Sequence, residues 1–211
     1  MNFETSWVVL TILVTFDVPG DTLYGKRTRF LTDLPDQELM RQVKEGDLRK
    51  LAVLFERHHR ALFHFFLRCT SDRTLSEDLV QEVYFRILRY RHTFNPQHSF
   101  TAWMYQIARN AQMDQLQKRR PETVPDEEMA SHSSRVDDLL SRDQEVALLR
   151  RAMDLLPEDK REVLVLSRYQ ELKYEEIAEI LGIEVGAVKV RVFRAVRALG
   201  ALYTELAGAK A

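Results

Sequence analysis

The chain has 211 residues, 45% hydrophobic and 30% charged, enough for two small domains with their own cores and too apolar to stay disordered. One cysteine, Cys69, excludes an internal disulfide and any CxxC zinc site, and reads as a small buried hydrophobe in a reducing, cytoplasmic compartment. The formal charge of −1 hides a strong segregation described below.

In chain order, residues 1–32 stand apart. Trp7 to Val18 is an apolar run broken by Thr11, Thr15 and Asp17. It is too short to span a bilayer and lacks the basic start and small-residue cleavage site of a signal peptide, so no direct membrane insertion is expected. From residue 35 onward the periodicity is helical. No glycine lies between Gly46 and Gly182, and Pro96, Pro121, Pro125 and Pro157 look like boundaries. The pattern predicts helices over 36–44 and about 48–69, the second begun at Gly46-Asp47. A third is predicted over 77–91, capped by Ser76, with Leu79, Val80, Val83, Ile87 and Leu88 as its apolar stripe. A loop follows over 93–99, then a fourth helix over 100–120. His58, His59 and His64 lack the spacing and carboxylate of a zinc helix, so no metal is expected.

Residues 121–141 are polar and acidic, with Glu122, Asp126, Glu127, Glu128, Asp137 and Asp138. They read as a linker, mobile or extended. A second helical domain opens over 144–156. Pro157 is predicted at the first helical position of a segment over 158–169. The chain then closes on a helix-turn-helix. Ile177, Ala178, Ile180 and Leu181 give a short amphipathic helix, and Gly182 marks a turn that needs positive φ or close approach. The next helix carries Val188, Val192, Ala195, Val196 and Leu199 on one side and Lys189, Arg191, Arg194 and Arg197 elsewhere. A short helix, a tight turn and a cationic second helix is major-groove geometry. The bland alternative is a helical hairpin with a solvated basic face.

The charge follows this organisation. Residues 84–120 hold seven Lys/Arg against Asp114 alone, residues 121–148 hold eight acids against Arg135 and Arg142, and residues 186–211 hold five bases against Glu205. Two basic segments flanking an acidic one suggest two contacts with nucleic acid. No nucleophile–base arrangement, metal spacing or phosphate loop is present, so neither an enzyme nor a cofactor is expected.

Three stretches resemble one family, the sigma-70 factors of RNA polymerase. Residues 78–88, DLVQEVYFRIL, resemble its DLVQE helix. Residues 100–110, FTAWMYQIARN, continuing to Asp114 and Arg119-Arg120, resemble its F-x-A-W-L-Y-x-I-A-R-N-x-x-x-D segment. Residues 181–192 resemble its L-G-I-P-V-G-T-V-K-S-R-L helix-turn-helix. The brevity of the chain is similar to the extracytoplasmic-function group. The resemblance implies an all-α protein: two small helical domains, 33–120 and 143–208, joined by an acidic linker over 121–142.

It further implies a transcription initiation factor that binds core RNA polymerase and promoter DNA and is held by an anti-sigma factor. Asp78, Leu79, Gln81, Glu82 and Phe85 would dock on the polymerase. On residue type alone, Phe85 could equally be core. Asn95, Gln97, His98, Tyr105, Arg109, Asn110, Lys118, Arg119 and Arg120 would handle the minus-ten element, with Tyr105 and Trp103 as candidate rings for stacking on a base and Trp103 the one that burial habits favour for the core. Lys189, Arg191, Arg194 and Arg197 would read the minus-thirty-five element. The linker is either a nucleic-acid mimic or a plain tether. Glu184, Ala187 and Val190 depart from the family's Pro, Thr and Ser, removing two hydroxyls that could bond bases or phosphate. Val190 reads as a residue that a shifted helix face would bury. The alternative is a stand-alone helix-turn-helix regulator, which would need no polymerase-docking face.

Overall fold

A computed structural model describes residues 34–119 and 142–208. Every regular element among them is helical: α1 (Asp36–Lys44), α2 (Arg49–Thr70), α3 (Arg73–Tyr90), a 3₁₀ turn (Arg91–Thr93), α4 (Phe100–Arg119), α5 (Arg142–Asp154), α6 (Glu158–Leu164) with a π turn (Val165–Tyr169), α7 (Tyr174–Leu181) and α8 (Val185–Gly208). Packing divides the described residues into two compact units, 34–63 with 77–112, and 64–76 with 113–119 and 142–208. The acidic linker and the apolar run of residues 7–18 lie outside the described residues.

The first unit closes around Leu39, Met40 and Val43 of α1, Leu51, Leu54 and Leu62 of α2, and Leu79, Val83 and Ile87 of α3, with Phe100, Met104 and Ala108 of α4, all buried. Tyr84 is buried among them, and its hydroxyl donates to the Leu54 carbonyl at 3.1 Å. Burial pushes that phenol well above its ordinary range. Phe94 caps the bottom of the loop before α4, its ring 5.2 Å from Trp103 and 6.2 Å from Phe100. Lys44 at the end of α1 donates to the Phe94 carbonyl at 2.7 Å. That bond ties the loop to the body of the unit.

Asp36 pins the start of α1 to α2. Its two oxygens meet Arg57 Nη1 at 2.5 Å and His58 Nε2 at 2.6 Å. Burial alone would raise this carboxyl, but the hydrogen bonds from His58 and Arg57 outweigh it and hold the pKa below the ordinary 3.8. A depressed carboxyl contributes stability above its unfolded-state pKa and loses it as pH falls. Asp36→Asn should therefore cost about 1 kcal/mol at neutral pH, a value discounted for the half-exposed site. Chemical denaturation from pH 7 to pH 2 should show the gap between native and variant closing below about pH 3.8. A gap that stays constant with pH would show that the ion pair carries none of it.

α3 starts earlier than its sequence predicts. Asp72, not Ser76, supplies the cap: its Oδ1 accepts the Leu75 amide at 2.9 Å. Ser76 is a buried residue inside the helix, and its hydroxyl donates back to the Asp72 carbonyl at 2.6 Å. Two cap-type residues four apart were available, and the buried position won Ser76 for the helix interior.

In the second unit, α8 packs on α5, α6 and α7. Val188, Val192 and Ala195 face Ala152, Met153, Leu156 and Val163 to Leu166, together with Ile177, Ala178 and Ile180. Pro157 occupies the N-cap rather than the first helical position, with ψ 152° at Pro35 and 143° at Pro157 marking the same extended entry to α1 and α6. Glu176 begins α7 by accepting the Lys173 amide at 3.1 Å. Gly182 ends α7 in the left-handed region, φ 63° and ψ 37°. A Cβ there would meet nothing within 4 Å, so the turn requires glycine for its backbone angle and not for close approach.

Candidate nucleic-acid interface

α3 sorts its residues sharply between two faces. Leu79, Val80, Val83, Tyr84, Ile87 and Leu88 are buried. Asp78, Gln81 and Phe85 are exposed on the opposite side, within one helical stripe because i, i+3 and i+7 are neighbours. Phe85, at 36% exposure, is a surface aromatic rather than a core one. Leu79 is corrected: at 1% exposure it belongs to the core and cannot touch a partner. Glu82 is half-buried and accepts from Arg86 Nε at 2.6 Å, so it is already committed to a neighbour one turn away.

The loop before α4 presents Asn95, Gln97 and His98 to solvent. The Asn95 side-chain oxygen accepts the Gln97 amide at 3.1 Å, and the Asn95 carbonyl accepts the His98 amide at 3.0 Å. These bonds set the turn and leave the Asn95 amide nitrogen facing out. Tyr105 is corrected: at 2% exposure its ring is core and offers no stacking face. Trp103 is the more exposed of the two rings. It is half-buried, its ring against Phe94 and Phe100. Asn110 is exposed, Arg109 half-buried and Lys118 exposed near the end of α4. Arg119 is the last helical residue, and Arg120 lies outside the described residues. Gln106, half-buried, shares a stripe with Trp103 and Asn110, and Tyr90, just before the loop, is exposed. The signal for the stripe is the i, i+3, i+7 spacing of 103, 106 and 110, which a search for apolar periodicity passes over because two of its three members are polar.

In the helix-turn-helix, Lys189, Arg191, Arg194 and Arg197 are all exposed. Among the described residues none of the four is ion-paired, so their charge is open to an outside anion. The Arg197 guanidinium lies 5.8 Å from the Phe193 ring. Val190 is corrected: the helix face is not shifted, and Val190 is 47% exposed, almost opposite the buried stripe of Val188, Val192 and Ala195.

Among the described residues no group of three or more His, Cys, Asp or Glu could hold a metal. Cys69 is buried and free, and burial pushes its thiol far above the ordinary range. No helix among the described residues is long and apolar enough to cross a membrane.

Comparison with known proteins gives two family matches, sigma-70 region 2 over residues 54–122 and sigma-70 region 4 over residues 147–199. The RNA polymerase sigma-H factor of Pseudomonas aeruginosa is 30% identical over 181 residues, covering 80% of this chain and 94% of that protein. The ECF RNA polymerase sigma factor SigW of Bacillus subtilis is 31% identical over 172 residues, covering 76% and 92%. Among solved structures, the sigma factor RpoE of Bartonella quintana, in complex with the anti-sigma factor NepR, is similar with a TM-score of 0.57 at 27% identity, covering 71% of this chain and 94% of that one.

Proposed function

This chain belongs to the sigma-70 family of RNA polymerase sigma factors, in its extracytoplasmic-function (ECF) group, and from that premise we propose how its residues divide the work. The protein is a transcription initiation factor: it binds core RNA polymerase and directs it to specific promoters. It acts in the cytoplasm and carries no catalytic chemistry of its own.

The region of residues 33–120 docks on the polymerase and handles the minus-ten element. Residues 143–208 form the unit that reads the minus-thirty-five element, and the acidic segment of residues 121–142 joins them. Asp78, Gln81 and Phe85 make the polymerase contact, with Glu82 held beside them by Arg86. Asn95, Gln97 and His98 offer hydrogen bonds to a base edge, Trp103 supplies the ring beside it, and Arg109, Asn110 and Lys118 follow the strand. Lys189, Arg191, Arg194 and Arg197 meet the duplex. An anti-sigma factor covers the polymerase face when the protein is idle, a reading supported by the partner that accompanies RpoE.

The observation that carries the reading is one chain that exposes both an acidic-aromatic docking stripe, Asp78, Gln81 and Phe85, and an unpaired cationic helix in a helix-turn-helix. A stand-alone regulator has no use for the first. The test is run-off transcription with purified core polymerase on genomic fragments. Discrete transcripts that need both proteins are the expected result. Stable DNA binding without any transcript would return the protein to the stand-alone class.

A further inference from the structure

The outward face of α8 is not a plain basic surface. Opposite the buried stripe lies a short apolar strip, Gly186, Ala187, Val190 and Phe193, all exposed, with Phe193 at 61%. Lys189 flanks it on one side, and Arg191 and Arg194 on the other, with Arg197 closing its C-terminal end. Ala187, Val190 and Phe193 follow one another at spacings of three, and Gly186 lies four before Val190, so they form one continuous ridge. Four cations with no ion-pair partner among the described residues, set around an apolar ridge at the start of a recognition helix, fit a duplex whose phosphates lie outside and whose central base edge is apolar. The major groove has one such edge, the 5-methyl group of thymine. Gly186 fits the same picture. Apart from its chain neighbours and its own helix backbone, no heavy atom among the described residues lies within 4 Å of where its Cβ would be. The absent side chain clears space toward the outside.

We infer that Val190, with Ala187 beside it, reads a thymine methyl in the minus-thirty-five element, in place of the hydroxyl hydrogen bonds that the family's serine and threonine could make. The inference rests on the proposed reading of α8 as the promoter-reading helix. Discrimination at that base pair comes from burying a methyl against an isopropyl group, with the arginines holding the register through phosphate.

Replacing thymine by deoxyuridine removes that methyl and nothing else. Each thymine of the minus-thirty-five segment, on either strand, is replaced in turn on a promoter that the full-length chain and core polymerase transcribe. The readout is the ratio of run-off yields from uracil and thymine templates at limiting protein. At one position the native chain should lose roughly fourfold, the worth of one methyl removed from water. Val190→Ser should show no loss there, and Val190→Ala a smaller one. Promoter-specific transcription that is indifferent to uracil throughout the segment overturns the inference and leaves the sigma-factor reading intact. So does a loss that Val190→Ser retains in full, because another side chain then reads the methyl. Absence of any promoter-specific transcript overturns the reading beneath it and the inference together.

Discussion

A variant carrying Asp78→Ala and Phe85→Ala is expected to bind core RNA polymerase roughly a hundredfold more weakly than the native chain, and run-off transcripts should vanish with it. Phe85 is the one large apolar side chain exposed on the outer stripe of α3. Truncating a central aromatic anchor commonly costs about 2 kcal/mol, and removing a neighbouring carboxylate that bonds the partner adds about 1 kcal/mol. The pair is chosen over Glu82 for a structural reason. Glu82 is bound to Arg86, so removing it also breaks an ion pair within the chain and blurs the result. Both chosen side chains lie on the surface, so the thermal midpoint should hold within a few degrees. Equilibrium binding to fluorescent core enzyme, beside helical circular dichroism, reads both. Unchanged polymerase affinity would move the docking face elsewhere on the protein.

The second large effect belongs to α8. Arg191→Ala with Arg194→Ala should weaken promoter-specific transcription roughly thirtyfold, on about 1 kcal/mol for each guanidinium–phosphate bond removed. Its signature is ionic. If each arginine meets one phosphate, the slope of log affinity against log salt should become shallower by about two. Association with core polymerase in the absence of DNA should not change. Neither arginine is ion-paired within the described chain, so the substitution strands no internal partner. An unaltered salt slope would mean that these guanidinium groups do not meet phosphate.

The same geometry explains why some structural features were legible in the sequence and others were not. The helix-turn-helix was readable because its constraints are local: Gly182 adopts the left-handed angle that its position called for, and the four cations of α8 stand on its exposed side. The extent of α1, residues 36–44, was readable as well, and Gly46, expected to open the next helix, stands at φ 110° in the break between α1 and α2. Tyr105 and Trp103 were exchanged because composition treats both as amphipathic aromatics. Which one is wet depends on where α4 rolls against Phe94 and Phe100, a tertiary fact. Leu79 was given to the docking face because it sits inside a motif that docks, although its own period placed it in the apolar stripe. The motif names a helix, and the period assigns the face. Val190 failed in the opposite sense: an apolar residue was assumed to be buried, although a recognition helix can use an apolar group on its outer side.

The buried phenol of Tyr84 gives the first unit an alkaline limit. Its hydroxyl is held against the Leu54 carbonyl with a raised pKa, whereas an unfolded chain releases that proton near the ordinary value of 10. Stability from this group is complete below pH 10 and drains away above it, because ionisation then rewards only the open chain. Tyrosinate absorbs ultraviolet light where tyrosine does not. Tyr84 therefore stays dark in an alkaline titration for as long as the unit is closed, and its late colour change marks the moment at which the fold gives way.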